Sequence, residues 1–202
     1  MRLGLLGPAA QHERELQRVA DFLLDEVHVD KALYLGVDRA LDAVVRKRAE
    51  RLLGQDPESF ALFRRATRSC LSGTPEQIAE FVAAERSCGS LKALESLPGA
   101  ATRSVEMLDG KLAVMIYDKA HLDEEDILAA TLLAFGKSRE PVVKRVGRRW
   151  FLSPGAFGAG GLMLLDDEAG GIRLRQFDGE CRELRAEELL VEGSPRLRVQ
   201  GG

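Results

Sequence analysis

The sequence predicts an α/β fold on the basis of three observations. Residues 1–36 show the hydrophobic periodicity of a strand, a helix and a second strand. Residues 39–97 show helical periodicity, and the rest of the chain contains short strand patterns separated by turns. Units of strand, helix and strand place their two strands in parallel within one sheet. With 202 residues, the chain can bury a substantial core and has the usual size of one domain, or of one domain with an appendage.

The first unit begins with an apolar run at residues 3–6, which Gly7 and Pro8 close. Apolar residues within 16–27 then recur at helical spacing, so we expect a helix after the loop. A second apolar run lies at 32–35. The opening of the chain therefore predicts two parallel strands connected by one helix.

The segment from 39 to 97 is predicted to contain two or three helices. Apolar stripes at helical spacing lie within residues 41–53, 60–70 and 78–82. Thr74 is a suitable N-cap for the last of these helices because a proline follows it at the first helical position.

Strand patterns return in the second half of the chain. An Asp109–Gly110 turn favours a hairpin between residues 102–108 and 111–117. The acids at 123–126 suit the first turn of a short helix. Residues 182–191 are predicted to form a final helix. Further strands are expected at 131–135, 142–146, 150–152, 162–165 and 172–177.

Composition narrows the range of functions. The chain has 29 basic and 32 acidic residues and a net charge of -3, so no global positive field would draw it to nucleic acid. No apolar segment approaches the length of a membrane span, and the first residues lack the apolar run of a signal peptide. The cysteines Cys70, Cys88 and Cys181 cannot all pair and lack zinc-site spacing. We therefore expect a cytoplasmic protein that binds neither nucleic acid nor membranes.

Three segments together resemble a known family. They are a strand and loop at residues 1–11, a strand end at 33–36, and the run 135–147, which continues into 150–156 and a strand at 162–165. This arrangement is similar to that of the calcineurin-like metallophosphoesterases, in particular their small phosphodiesterase branch. Members carry D-x-H after the first strand, G-D after the second, G-N-x-D or G-N-x-H later, and G-H-x-H near the end.

The resemblance covers residues 2–37 and about 98–179, whereas residues 38–97 match no part of the family pattern. It implies an αββα sandwich, in which two packed β-sheets are flanked by helices, with a helical insertion. We accordingly expect one metallophosphoesterase-like domain over residues 1–180 with its insertion at about 39–97. A C-terminal helix and a frayed tail would follow at 181–202.

The metal ligands of the family do not carry over to this chain. The histidine that ends one family strand falls at Ile116 or Tyr117, and the asparagine motif has no recognisable counterpart. A dinuclear centre needs several carboxylate oxygens and imidazole nitrogens that converge on two cations. The resemblance thus implies the fold without its metal, cofactor or hydrolytic chemistry. The remaining ligand positions of the family are occupied by Gly7, Ala9, Val37, Lys137 and Arg139.

The resemblance leads to three functional hypotheses. We expect a catalytically inactive, metallophosphoesterase-like protein that acts as a protein-binding or scaffolding module, since a retromer subunit with this fold works through protein contacts. Alternatively, Lys137 and Arg139 could bind a phosphorylated or otherwise anionic ligand at the vestigial site without metal, because ammonium and guanidinium groups grip such anions. The third hypothesis is a phosphoesterase with a rearranged site.

Two surfaces are candidates for a protein partner. Phe60, Leu62 and Phe63 supply more apolar residues than one buried stripe of a helix requires, so they either contact a partner or belong to an insertion that covers the core. Residues 137–149 contain six basic side chains against the single acid Glu140. This stripe either steers an acidic partner or is simply a solvated face of a hairpin.

The histidines offer little support for a new site. His12, His28 and His121 lie in separate segments, and none has a nearby serine or cysteine that it could activate. They could serve as metal ligands or as a general base, but solvent-exposed or capping roles are favoured for each of them. The sequence therefore predicts no catalytic residue.

Overall fold

A computed structural model of the protein describes residues 1–54, 61–168 and 171–189. The helices are α1 (Glu13–Phe22), α2 (Ala40–Leu53), α3 (Leu62–Ser72), α4 (Pro75–Ser90) and α5 (Glu124–Ala129). A π-helical turn at Leu23–Val27 extends α1, and short 3-10 turns lie at Leu91–Ala93 and Lys119–His121. The strands are β1 (Arg2–Leu6), β2 (Lys31–Tyr34), β3 (Leu94–Ser96), β4 (Ser104–Leu108), β5 (Lys111–Ile116), β6 (Leu132–Phe135), β7 (Val142–Val146), β8 (Arg149–Ser153), β9 (Leu162–Glu168), β10 (Gly171–Phe177) and β11 (Glu183–Leu189).

The strands form two mixed sheets. The six-stranded sheet has the order β11-β10-β9-β1-β2-β3, in which β1, β2 and β3 are parallel and β9 to β11 are antiparallel neighbours. The five-stranded sheet has the order β4-β5-β6-β8-β7. Its central strands β5, β6 and β8 are parallel, and its edge strands β4 and β7 are antiparallel to their neighbours. In each sheet the three parallel strands are neighbours, along one half of the first sheet and in the centre of the second, so their carboxyl ends lie side by side.

The two sheets pack face to face, as the resemblance implies. Along β1, the side chains of Leu3 and Leu5 enter the core between the sheets, whereas Leu6 faces α1 and α2 on the outer side. Met115 and Leu152 reach the same core between the sheets from the second sheet. Apolar residues near α5 cover part of the outer face of that sheet. The αββα architecture predicted from the sequence is therefore confirmed.

The final helix predicted at 182–191 is wrong for the residues that the structure describes. Glu183–Leu189 is strand β11, which pairs antiparallel with β10 in the register Ile172↔Leu189. This segment consists largely of good helix formers, but tertiary pairing commonly overrides such local preferences. An otherwise unpaired edge of β10 and a place in the core for Leu189 favour the strand. The frayed tail predicted at 193–202 lies outside the described residues.

The helices predicted after residue 39 are confirmed as α2, α3 and α4, although they differ in packing. Leu41 and Val44 of α2 are buried against the first sheet, whereas no residue of α3 or α4 is buried. Thr74 caps α4 as expected, through a reciprocal pair of hydrogen bonds with Gln77. The division into one domain with an insertion stays a prediction. Within the described residues, no helix combines the length and hydrophobicity needed to span a bilayer.

Candidate functional site

The loops that follow the central parallel strands of both sheets meet at one edge of the sandwich. The amide of Leu35 donates to the carbonyl of Leu6 at 2.8 Å, which keeps the chain after β2 beside the end of β1. The amide of Gly136 donates to the carbonyls of Ile116 and Tyr117, both at 3.0 Å, so the loop after β6 lies against the end of β5. In open α/β sheets this edge is the usual place for a ligand. All five vestigial positions lie in these loops.

Backbone atoms fill the space around Gly7, the first vestigial position. A Cβ atom added to Gly7 would overlap the carbonyl oxygen of Gly155, which belongs to the loop after β8. The Gly7 amide donates to the carbonyl of Gly161 at 2.9 Å, and the Phe157 amide donates to that of Pro8 at 3.0 Å. The loop after β1 is therefore closed against the loop after β8. An aspartate at position 7 would have no room for its side chain unless the backbone moved.

A buried tyrosine links the loops that carry Ala9 and Val37, the next two vestigial positions. The Tyr34 hydroxyl accepts a hydrogen bond from the Ala9 amide at 2.9 Å and donates one to the Asp38 carboxylate at 2.7 Å. Tyr34 and Ala9 are fully buried, whereas Val37 is exposed. Burial, together with the neighbouring Asp38 carboxylate, raises the pKa of Tyr34 far above its usual value. The phenol therefore stays protonated and fastens the loop after β1 to the loop after β2.

Lys137 and Arg139 both lie on the exposed loop after β6. The Lys137 Nζ atom is 2.5 Å from Oδ2 of Asp118, which is the second residue after the end of β5. This hydrogen bond is the main reason that the pKa of Asp118 is lowered, and a hydrogen bond from the Ala120 amide lowers it further. The Arg139 carbonyl accepts from the Ala156 amide at 3.0 Å. The lysine charge is thus matched by a carboxylate of the protein itself.

The structure does not bring the histidines together. His12 Nδ1 lies 2.7 Å from the Glu15 carboxylate, and His28 Nδ1 lies 2.9 Å from the Leu24 carbonyl. His121 is exposed at the end of a 3-10 turn. In the ranges 1–54, 61–168 and 171–189, no three His, Cys, Asp or Glu side chains are placed to hold one metal ion.

The metal centre that the fold suggests does not fit the residues present. Its ligand positions hold side chains without donor atoms or with positive charge, and Gly7 has no space for a longer side chain. Asp38 and Asp118 are nearby carboxylates, but hydrogen bonds to Tyr34 and Lys137 already engage them. We therefore derive no metal-assisted step.

The residues predicted to contact a partner differ in their surroundings. Phe60 lies outside the described residues, Leu62 is exposed, and Phe63 is 80% exposed. Leu71, at the other end of α3, is 82% exposed. The basic residues predicted near 137–149 are confirmed to lie on and around the β7–β8 hairpin. Their roles in binding stay predictions.

Four residues that shape this edge were missed by sequence reasoning. Asp118 follows a predicted strand directly, which is a position where carboxylates often point into a site, and this signal could have identified it. The hydroxyl of Tyr34 and the carboxylate of Asp38 are four residues apart around Gly36, but nothing in the sequence specifies their contact. Gly155 lies within the family-like run 150–156, but its contact with Gly7 can be seen only in the three-dimensional structure.

Comparison with known proteins identifies the fold. No protein-family description and no curated protein sequence matches this chain. A single mutant of Vps29 from Entamoeba histolytica is similar in structure with a TM-score of 0.53 at 14% identity, over 94% of this chain and all of that one. A predicted phosphoesterase from Streptococcus pneumoniae gives 0.49 at 10% identity, over 94% and 98% of the two chains. An archaeal phosphodiesterase gives 0.47 at 12% identity, over 94% and 100%.

The Entamoeba structure carries the assignment because its TM-score lies above one half. At this level of identity the likeness concerns the fold and not the activity. It agrees with the two packed sheets and with the resemblance read from the sequence. The chain has the fold of the calcineurin-like metallophosphoesterases.

Proposed function

We propose that this protein is a catalytically inactive member of the metallophosphoesterase fold and acts as a protein-binding or scaffolding module. The observation that carries the proposal is the closure of the edge where the fold would hold its metals. The Gly155 carbonyl takes the space of a side chain at position 7, and Tyr34 fastens the neighbouring loop. The resemblance implies hydrolysis by a metal-activated water, and the described residues at this edge offer no group of three donors that could hold a metal ion.

The exposed apolar residues support the binding part of the proposal. Phe63 and Leu71 lie on a helix without buried residues, and both are more than three-quarters exposed. Large exposed apolar side chains that lie close together are typical of interaction sites. Leu62 on the same helix is also exposed.

The alternative, a metal-independent site for an anion, has less support. Lys137 is held at 2.5 Å by the Asp118 carboxylate, so an incoming phosphate would compete with a charge of its own sign. Arg139 is exposed at the same edge and would have to supply most of the attraction. No observation favours hydrolysis by a rearranged site.

A hydrolysis assay tests the catalytic half of the proposal. The purified chain would be incubated with bis(p-nitrophenyl) phosphate, p-nitrophenyl phosphate and cyclic nucleotides, with and without added Mn²⁺. We expect no turnover above buffer. Turnover that co-purifies with the protein and is lost in Asp118→Asn would contradict the proposal, because that carboxylate lies at the family edge. Arg173→Ala, a change on strand β10, serves as the control.

A further inference from the structure

The helical hairpin formed by α3 and α4 presents an apolar row that the rest of the described protein leaves open. Arg65 of α3 forms an ion pair with Glu85 of α4 at 2.7 Å, and both side chains are largely sheltered. Successive residues of a helix are rotated by about 100°, so Phe63 lies on nearly the opposite side of α3 from Arg65. The face bearing Phe63 therefore points away from α4, in agreement with its exposure.

The row on this face consists of Phe63, Thr67 and Leu71, which are spaced four residues apart. At a rise of about 1.5 Å per residue, Phe63 and Leu71 are separated by about 12 Å along the helix axis. Residues with this spacing form a ridge, and such a ridge fits the groove between corresponding ridges of a second helix. The same residues line a shallow depression on the surface together with Arg64 and Arg68.

The charges beside the row restrict the kind of partner surface that can bind there. Arg64 and Arg68 each follow a member of the row by one residue, and α3 contains Arg65 as well but no acidic residue. A symmetric contact with α3 of a second copy would place arginines of both copies against one another, which is unfavourable. Carboxylates placed beside an apolar stripe would instead complement both features of this face.

We propose, building on the scaffolding function above, that the Phe63–Thr67–Leu71 face of α3 binds an acidic amphipathic helix of a partner protein. Apolar residues of the partner at helical spacing would cover Phe63 and Leu71, while its Asp or Glu side chains would pair with Arg68. This arrangement is the helix-in-groove mode of peptide recognition. In this proposal the exposed row of α3 makes the central contacts, and Leu62 lies at the margin of the binding site.

The first arm of the test is a selection from a phage-displayed library of random 16-residue peptides on the immobilised full chain. We expect enriched peptides with Leu, Ile, Phe or Trp at spacings of three and four residues and with Asp or Glu between them. Enrichment of basic or proline-rich sequences would overturn the assignment. Failure to enrich any peptide would overturn it too, and the hydrolysis assay would still test inactivity independently.

The second arm measures the affinity of the best labelled peptide by fluorescence anisotropy. Phe63→Ser, Leu71→Ser and Arg68→Glu should each weaken binding by about tenfold or more, as substitution of a central anchor does. Circular dichroism should show each variant folded, because these side chains are exposed. Met107→Ser and Leu128→Ser are matched controls, since both side chains are 58% exposed outside α3, and they should leave the affinity within about twofold.

The remaining outcomes separate this face from other surfaces. Unchanged affinity in Phe63→Ser and Leu71→Ser would place the site elsewhere and overturn the assignment while leaving a scaffolding role intact. Sedimentation of the wild-type chain with phosphatidylserine vesicles, lost in Phe63→Ser, would also overturn it in favour of a membrane surface. A fall in peptide affinity as the salt concentration rises would support the expected acidic pairing.

Discussion

The carbonyl oxygen of Gly155 occupies the space into which a side chain at position 7 would extend. Gly7 directly follows β1 and Gly155 lies in the loop after β8, so this contact joins the two sheets at the edge where the family resemblance places the metal ligands. The first aspartate of the family motif would have to stand at Gly7. The backbone around position 7 therefore leaves no room for that aspartate, and the sequence lacks it.

A matched pair of glycine substitutions tests this contact. Gly7→Ala adds one methyl group against the Gly155 carbonyl, and because overpacking of a closed site is costly we expect it to destabilise the protein by about 2 kcal/mol or more. Gly89→Ala adds the same group on α4, where nothing lies within 4 Å. There we expect no loss, and a gain of about 0.5–1 kcal/mol if the helical propensity of alanine is realised.

Urea unfolding of both variants measures the difference. If Gly7→Ala unfolded at the same denaturant concentration as the wild type, the space at position 7 would be open and the closed edge would be refuted. A parallel decrease in both variants would indicate a general intolerance of the change and would not support a specific contact.

The Tyr34 hydroxyl is expected to stabilise the fold. Tyr34→Phe leaves the buried Ala9 amide without its acceptor, and an unsatisfied buried amide costs about 1–3 kcal/mol. Tyr117→Phe is the control, because within the described residues no hydrogen bond of the Tyr117 hydroxyl is formed and its ring is only partly buried. Equal unfolding midpoints for the two variants would contradict the role given to Tyr34.

The same tyrosine predicts a dependence of stability on pH. Since burial raises the pKa of Tyr34, the folded protein holds the phenolic proton more tightly than the unfolded chain does. The corresponding stabilisation is present below the usual tyrosine pKa of about 10 and is lost progressively as the pH rises above it. We expect the urea midpoint to decrease more steeply in the wild type than in Tyr34→Phe between pH 9 and 11. Identical slopes would be evidence against a buried phenol.

Because Lys137 is paired with Asp118, we can predict the outcome of an anion screen. The ammonium group lowers the pKa of Asp118, so the carboxylate stays charged at neutral pH. The contribution of the ion pair to stability is lost only as the pH falls through this lowered pKa. We expect phosphate and sulfate to raise the melting temperature no more in the wild type than in the Lys137→Ala/Arg139→Ala double variant. A salt-sensitive rise that the double variant abolishes would favour the anion-binding alternative.

Cys181 offers a chemical test of how the β10–β11 turn packs. Burial raises the pKa of Cys181 to about 11, whereas Cys70 on α3 is exposed. Because the thiolate is the reactive form, iodoacetamide at pH 8 should modify Cys181 far more slowly than Cys70. Peptide mapping by mass spectrometry distinguishes the two sites. Modification at equal rates would show that the turn does not shelter the thiol.

The sequence predicted the fold well because the hydrophobic pattern of the central strands is strong. Leu3 and Leu5 alternate with residues that face the helices, and glycines mark the ends of β1, β2 and β6, so the parallel core and its edge could be located. The last strand was missed because residues 183–189 favour a helix locally and become a strand only through pairing with β10.

The candidate site was predictable only in part. The replacement of the family ligands could be read directly from Gly7 and Lys137, because each falls at a motif position. The pairing of Lys137 with Asp118, and the contact of Gly7 with Gly155, join residues that are distant in sequence. Neither the hydrophobic pattern of the sequence nor the spacing of its residues specifies such contacts, since they depend on how the two sheets are stacked.

Metal retention tests the central claim most directly. The purified, untagged chain would be loaded with excess Mn²⁺ or Zn²⁺, dialysed, and measured for bound metal by mass spectrometry. We predict far less than one metal ion per chain, and no difference between the wild type and the Asp38→Asn and Asp118→Asn variants. Retention of one or two ions per chain that either variant abolishes would contradict the account, because it would show that this edge still assembles a metal centre.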